Sequence, residues 1–365
     1  MASYFIIIVS IYCALVLLLI FGFTRVTSRR QPAASHVAFI SIVISFRNEA
    51  ENIPNLLKDL AAIKYPADKW EVILVNDHST DNFQVTANNV RVLHSSLPGK
   101  KAAITTAVEA AIGDIIATTD ADCRVKPLWL EEINRGFQDP EIQMMIGGVR
   151  IEGDNSLFSK LQALEFVSVA ATGAATLGLG FPTMCNGANL SYRRDAFIKI
   201  GGYQGNEKVS SGDDEYLMNK IHKTLQGSIG YLKSSDSFVT TAPRSDVAMF
   251  ISQRLRWAGK WRSNISVSTQ IFALVVWLFH VACIAIAVSA MFGFITWKLF
   301  VILAGTKIFV EALLLIPAAN FFKVKWSWIS FLVLQFVYSI YVITIGFMSQ
   351  ILLPRWKGRA VEAKV

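Results

Sequence analysis

Asp120 and Asp122 flank a single alanine at the lip of an apolar run, Ile115-Ile116-Ala117-Thr118-Thr119. Two carboxylates this close repel each other, and a divalent cation shared with phosphate oxygens relieves the repulsion. Mg2+ and Mn2+ favour such a set, a few carboxylates completed by phosphate. The pair therefore points to a metal-bridged diphosphate, although alone it equally describes acids that cap a helix. Two other apolar runs end in polar clusters, Arg47-Asn48-Glu49 and Asn76-Asp77-His78-Ser79-Thr80-Asp81. Further on, Asp213-Asp214-Glu215 opens a segment with Leu217 and Ile221 at helical spacing. A carboxylate there is a candidate general base. A helix dipole lowers its pKa and burial beside two acids raises it, and the sequence leaves both effects standing. The last cluster is Gln253-Arg254-Leu255-Arg256-Trp257. Val247, Phe250, Ile251, Trp257, Ala258 and Trp261 share one face of a predicted helix, with Arg254, Arg256, Lys260 and Arg262 over the remainder. That is the profile of an interfacial amphipathic helix, on which Arg254 reads as a snorkelling cation.

The elements that must hold these groups follow from periodicity. Val37–Ser45 is a continuous β-branched run, as expected of a strand buried on both faces. Ile53, Leu56, Leu57, Leu60 and Ile63 recur at helical spacing. Strands are predicted at Trp70–Val75, Val90–Leu93 and Asp114–Thr119, with a helix over Lys101–Ile112. Alternating strands and helices predict an α/β domain with a mostly parallel sheet, which binds ligands beyond the carboxyl ends of its strands. Each polar cluster named above falls at such an end.

The whole chain has 365 residues, 53% of them hydrophobic and 17% charged, with a net charge of +8. Soluble domains carry about 25% charged residues, so part of this chain is expected in lipid. Disordered and strongly acidic proteins are excluded. Cys13, Cys123, Cys185 and Cys283 have neither metal-ligand spacing nor the density of a disulfide scaffold. Tyr4–Phe23 is uncharged and long enough for one spanning helix, and Arg25, Arg29 and Arg30 follow it. Positive charge after the span predicts an anchor rather than a cleaved signal, with the following domain cytoplasmic. Ile265–Trp297 and Leu299–Ala319 read as a membrane hairpin broken at Lys298. Lys323 and Lys325 mark a turn before a third segment, Ile329–Leu353. The expected domains are thus 1–30, a transmembrane anchor; 31–263, a catalytic domain ending in the amphipathic helix; 264–353, about three transmembrane helices; and 354–365, a basic tail. Counting crossings puts that tail outside, whereas Arg355, Lys357, Arg359 and Lys364 favour the inside. The two agree if one apolar segment is interfacial or re-entrant.

Read in order, SIVISFRNEAENIPNLL, VNDHSTD, GKKAAI, TDAD, CNGANLSYRRDAF, SGDDEYL and QRLRW resemble the motifs of family 2 inverting glycosyltransferases with the GT-A fold. The resemblance is to the membrane-embedded branch that includes ceramide glucosyltransferase, hyaluronan synthase and cellulose synthase. It spans about Ser41 to Trp257. The family's V-D-D-G-S-x-D appears here with Asn76 for the first aspartate and His78 for the glycine. The resemblance implies a Rossmann-like nucleotide-sugar domain with transmembrane α-helices. It assigns Asp77 and Glu49 to the nucleotide base, Lys101 to the base and diphosphate (with Lys100 an equally close match), and Asp120 and Asp122 to nucleotide-sugar and metal. Asp214 matches the catalytic base, and Asp213, Gln253, Arg256 and Trp257 the acceptor and diphosphate side.

The implied function is transfer of a sugar from a nucleoside diphosphate sugar, UDP favoured by analogy, to a membrane lipid or lipid-linked acceptor, with Mg2+ or Mn2+ as cofactor. A processive polysaccharide synthase is the first alternative. One N-terminal and about three C-terminal spans are few for a secretion channel unless the chain forms a homo-oligomer. A transporter or flippase with a non-catalytic nucleotide-binding domain is the alternative of another class, resting on Lys307 and Glu311 within one span. No nucleic-acid motif accompanies the basic charge, and an anionic membrane surface accounts for it better. The expected location is the bacterial inner membrane.

Overall fold

In the computed structural model, residues 2–28, 35–85, 90–206, 212–225, 229–259, 266–352, 355–356 and 359–360 are described. In chain order the elements begin with α1 (Ala2–Ser28), β1 (Ile40–Phe46), α2 (Ile53–Ala61), β2 (Trp70–Asn76), β3 (Val90–His94) and α3 (Lys100–Ala110). There follow β4 (Ile115–Thr118), β5 (Cys123–Arg124), α4 (Trp129–Gly136), β6 (Met144–Gly147), β7 (Val149–Ile151) and α5 (Leu157–Gly178). The remainder comprises β8 (Leu190–Arg193), α6 (Arg194–Lys199), α7 (Asp213–Thr224), β9 (Ile229–Leu232), β10 (Val239–Thr241) and α8 (Val247–Gly259), then α9 (Val267–Met291), α10 (Trp297–Phe321) and α11 (Trp328–Ile351).

These elements group into two units. One holds residues 27–152, 184–242 and 355–365, the other residues 1–26, 153–183 and 243–354. The first is an α/β unit. Its main sheet has the order β3-β2-β1-β4-β8-β6-β9. β1 pairs in parallel with β2 (Ile40 opposite Trp70) and with β4 (Ile40 opposite Ile115), and β2 with β3. Burial explains the parallel pairing: ISIVISF and the second half of WEVILVN are buried on both faces, so both sides of the sheet are covered. β8 alone runs antiparallel in this sheet, between β4 and β6. A smaller sheet, β5-β10-β7, stands beside it. Because the chain runs outward from β1 to β3 and then returns to place β4 on the other side of β1, the strand order reverses between β1 and β4. That switch point opens a crevice at the carboxyl ends of these strands. α2 buries Ile53, Leu56 and Leu60 and starts with a proline in its first turn, where a missing N–H costs nothing. α3 buries Ala103, Ile104, Ala107 and Val108 at the same helical spacing.

The second unit is helical. α1, α5, α9, α10 and α11 are each long and apolar enough to cross a membrane. The hairpin between α9 and α10 falls at Phe292–Thr296, ahead of the expected break at Lys298. Thr296 caps α10 by accepting from the Leu299 amide, so Lys298 lies within the first turn of the helix. Val9 of α1 packs with Phe279, Ile286 and Ala290 of α9, and Tyr12 stacks on Phe279 at 3.5 Å. α5 was not expected as an apolar membrane-length helix. It packs against α10 and α11 and approaches α1 so closely that a Cβ on Gly178 would lie 2.0 Å from the Gly22 carbonyl oxygen. Arg29, Arg30, Lys260, Trp261, Arg262, Lys357 and Lys364 lie outside the described residues.

Candidate active site

The loops after β1 and β2 form one hydrogen-bonded block at the switch point. Asn48 donates its amide N–H to Ser79 Oγ (3.0 Å), and its side-chain oxygen accepts from the Thr80 amide (2.7 Å). Arg47 donates to the carbonyls of Asp77 (3.1 Å) and His78 (2.7 Å). Asn48 and His78 both hold φ of 52°, in the left-handed region that asparagine tolerates and histidine rarely adopts. His78 stands where the motif that VNDHSTD resembles has glycine, the residue that adopts this backbone conformation without strain. Asp77 is buried, and its Oδ1 accepts from the Gly99 amide at 2.9 Å. Gly99 has φ of 119°, open only to glycine, and so turns the chain into α3 while facing Asp77. Glu49 Oε2 accepts from Asn52 Nδ2 (2.6 Å), one turn on. Asn76 uses its oxygen to hold the Ser79 amide (2.8 Å), with its amide nitrogen 3.4 Å from His94 Nδ1. An aspartate could not donate to that ring.

Three acids then gather around one ammonium. Lys100, the first residue of α3, places Nζ 2.7 Å from Asp120 Oδ1 and 4.0 Å from Asp213 Oδ2. Burial opposes its charge, but Asp120, Asp213 and Asp214 outweigh that and hold Lys100 well above the ordinary lysine range. Lys101 takes another direction: it is buried, donates from Nζ to the Asn206 carbonyl (2.7 Å), and lies 5.9 Å from the Tyr216 ring centre. Of the two matches to the family's basic residue, Lys100 is therefore the one in contact with the acids. Asp213 and Asp214 sit in the first turn of α7, where the helix dipole favours acids. Asp214 is buried and accepts two backbone N–H groups, from Gly187 (3.0 Å) and Glu215 (2.9 Å), which fix the direction of its carboxylate. Thr118 at the end of β4 donates to the Gly187 carbonyl (2.8 Å), so the strand bearing Asp120 also sets the loop that orients Asp214.

Asp120, Asp122 and Cys123 bring one potential ligand atom each to within 4.8 Å of one another. Burial, then the Asp120 and Asp122 carboxylates, push the Cys123 thiol well above its usual value. Asp120 and Asp122 are the two hard carboxylate donors of this group. That set fits Mg2+ or Mn2+ completed by phosphate oxygens, and not a closed zinc site.

Gln253, Arg256 and Trp257 lie on α8 in the helical unit. Arg254 does not snorkel: it is 3% exposed, forks onto Glu165 of α5, and lies 4.3 Å from the Trp257 ring centre. A cation reads as snorkelling when its partner is ninety residues away in sequence and invisible to helical spacing. Lys307 and Glu311 pair at 2.9 Å, with Gln335 and Tyr12 completing their hydrogen bonds. This is an internally satisfied cluster.

Comparison with known proteins follows the same lines. The sequence model of glycosyl transferase family 2 matches residues 41–201. Glycosyltransferase AglE of Haloferax volcanii is 26% identical over 270 residues, which cover 67% of this chain and 81% of that protein. Poly-beta-1,6-N-acetyl-D-glucosamine synthase of Staphylococcus aureus is 27% identical over 173 residues, 44% of this chain and only 41% of the synthase. In structure, the mannosyltransferase PcManGT of Pyrobaculum calidifontis, solved with GDP-Man and Mn2+, superimposes with a TM-score of 0.63 at 17% identity, covering 93% of this chain and 99% of that one.

Proposed function

We propose that this chain, a glycosyltransferase whose residues 41–201 form a glycosyl transferase family 2 domain, moves one sugar from a nucleoside diphosphate sugar to a membrane lipid or lipid-linked acceptor. The observation that carries the reading is the acid cluster at the β1/β4 switch point, Asp120 and Asp122 with Lys100 against Asp120 and Asp214 oriented by two backbone amides. In this reading Asp77 and Glu49 meet the nucleotide base, uridine in the favoured donor. Asp122, with Asp120, holds Mg2+ or Mn2+, which when bound neutralises charge developing on the departing diphosphate. Lys100, which the resemblance allowed as an alternative to Lys101, is the cation at the diphosphate end, while Lys101 ties α3 to the Asn206 carbonyl. The acceptor hydroxyl oxygen bonds to the anomeric carbon as the bond from that carbon to the diphosphate oxygen breaks, and its proton passes to the Asp214 carboxylate. Asp213, Gln253, Arg256 and Trp257 act on the acceptor and diphosphate side.

The helical unit, with its membrane-length helices, supports an integral multi-pass protein with its catalytic unit on the cytoplasmic face. AglE, named as a glycosyltransferase and aligned over 81% of its own length, supports sugar transfer. The name of the staphylococcal relative supports polymer synthesis as the second reading.

The test is a donor screen on detergent-purified protein with labelled UDP- and GDP-sugars, Mn2+ and total membrane lipid, followed by solvent partition. A discrete labelled species in the chloroform phase supports lipid glycosylation and identifies the donor. A high-mass carbohydrate ladder in the aqueous phase overturns single transfer in favour of polymerisation. Donor binding without product in either phase overturns the transferase mechanism.

A further inference from the structure

One face of α5 is built as a seat for α8. Phe158, Gln162, Glu165 and Phe166 recur at the spacing that places them on one side of a helix. Gln162 clasps the backbone just ahead of α8, donating to the Arg244 carbonyl (3.0 Å) and accepting from the Arg244 amide (2.8 Å). Phe158 meets Phe250 edge-on at 5.9 Å, and Phe166 lies 5.8 Å from the Trp257 ring. Between these contacts sits Glu165, 5% exposed, which accepts from Arg254 Nε on both oxygens at 3.1 Å and from Arg254 Nη2. Tyr341 of α11 donates its hydroxyl to Glu165 Oε1 at 2.9 Å.

Arg254 is held flat by this fork, and what it then touches are two of the residues that the family motif assigns to acceptor and diphosphate. Its guanidinium lies 4.3 Å from the Trp257 ring centre and 4.5 Å from that of Phe250, so the indole is backed by a fixed cation. Its Nη1 donates to Gln253 Oε1. A guanidinium only donates, so this contact is made by the Gln253 oxygen and fixes the orientation of its amide.

We propose that Glu165 is a positioning residue for sugar transfer. Through Arg254 it fixes the indole of Trp257 and the amide of Gln253, and so sets affinity for the acceptor without touching substrate. This inference rests on the proposed function, in which α8 engages the acceptor. Two charges removed together leave neither one stranded, so the decisive variant is the double replacement Glu165→Leu with Arg254→Met, which keeps the packing volume. Tyr341→Phe, which deletes one hydroxyl that steadies Glu165, is the mild variant that retains the fold.

Each protein is assayed in nanodiscs with Mn2+ and the donor that gives product, at increasing total membrane lipid as acceptor. Donor hydrolysis without lipid and donor binding serve as readouts of the nucleotide-sugar site alone. For the double variant the expected result is a rise of about tenfold in acceptor KM, with donor binding and lipid-free hydrolysis within twofold of wild type. Tyr341→Phe is expected to raise acceptor KM about threefold. A double variant that folds with acceptor KM unchanged overturns the proposal. If it does not fold, an unchanged acceptor KM in Tyr341→Phe overturns it instead. Trp257→Ala separates the two levels: where it raises acceptor KM and the pair variants do not, the positioning role alone falls. Where Trp257→Ala has no effect, the reading of α8 falls and takes this inference with it.

Discussion

Lys100 pairs with Asp120 at 2.7 Å, and in the proposed function Asp122 is the carboxylate that holds the divalent cation. Asp122→Asn keeps the shape and removes the carboxylate charge. Metal-dependent transfer is expected to fall about a hundredfold or more, with an unchanged melting temperature in detergent. Retained activity with Mn2+ would remove Asp122 from the metal site. The two neighbouring lysines should separate cleanly. Lys100→Met leaves Asp120, Asp213 and Asp214 unscreened around the diphosphate end, so kcat/KM for the donor should drop by tenfold or more with little change in fold. Lys101→Met strands the buried Asn206 carbonyl and should cost about 1–3 kcal/mol of stability by thermal unfolding. The reverse pattern would give the catalytic role to Lys101. The residue types of this cluster were legible because strand ends bunch polar groups at a sheet's carboxyl edge. Which of two adjacent lysines faces the acids was not legible, since a helix turns about 100° per residue and the phase at its first turn depends on the Gly99 bend.

At the scale of elements, the β-branched runs announced the parallel core strands within three residues at each end, while α5 went unrecognised. Ser159, Lys160, Gln162, Glu165, Ser168 and Thr172 interrupt its apolar face; among them Glu165 pairs with α8 and α11, Ser168 with α11, and Gln162 with Arg244 just ahead of α8. Its two flanks also belong to strands of one unit: β7 ends at Ile151 and β8 begins at Leu190. A helix that leaves and rejoins the same α/β unit does not transfer the chain across a bilayer. Cysteines placed at Asn155 and Phe181 in a cysteine-free background should therefore both react with a membrane-impermeant maleimide from the same side. Labelling from opposite sides would make α5 a true crossing. The same helix should be intolerant of bulk at its contact with α1. Gly178→Val drives a Cβ into the Gly22 carbonyl oxygen, and overpacking of this kind costs about 1–3 kcal/mol. A lower melting temperature in detergent, with donor affinity unchanged, is the expected result.

For the whole molecule, the α/β unit is discontinuous in sequence, drawing on residues 27–152 and 184–242, while the helical unit takes residues 153–183 and 243–354. A piece cut at 31–263, the span that looks like a self-contained domain from composition, carries α5 and α8 away from the helices that bury them. α5 loses α10 and α11, and α8 loses α11. Phe250 loses its stack on Tyr341, and Glu165 loses the Tyr341 hydroxyl while keeping Arg254. Each large apolar side chain so uncovered forgoes about 1.5–3 kcal/mol of burial, and a contiguous exposed patch drives association. The 31–263 piece should therefore elute as aggregate without detergent and become monodisperse when detergent or lipid covers α5 and α8. The full chain in detergent should be monodisperse and bind donor. A 31–263 piece that is monomeric and donor-competent in plain buffer would show that the apolar faces of α5 and α8 find enough cover within the catalytic segment itself, and the membrane helices would then be an anchor rather than part of the enzyme's fold.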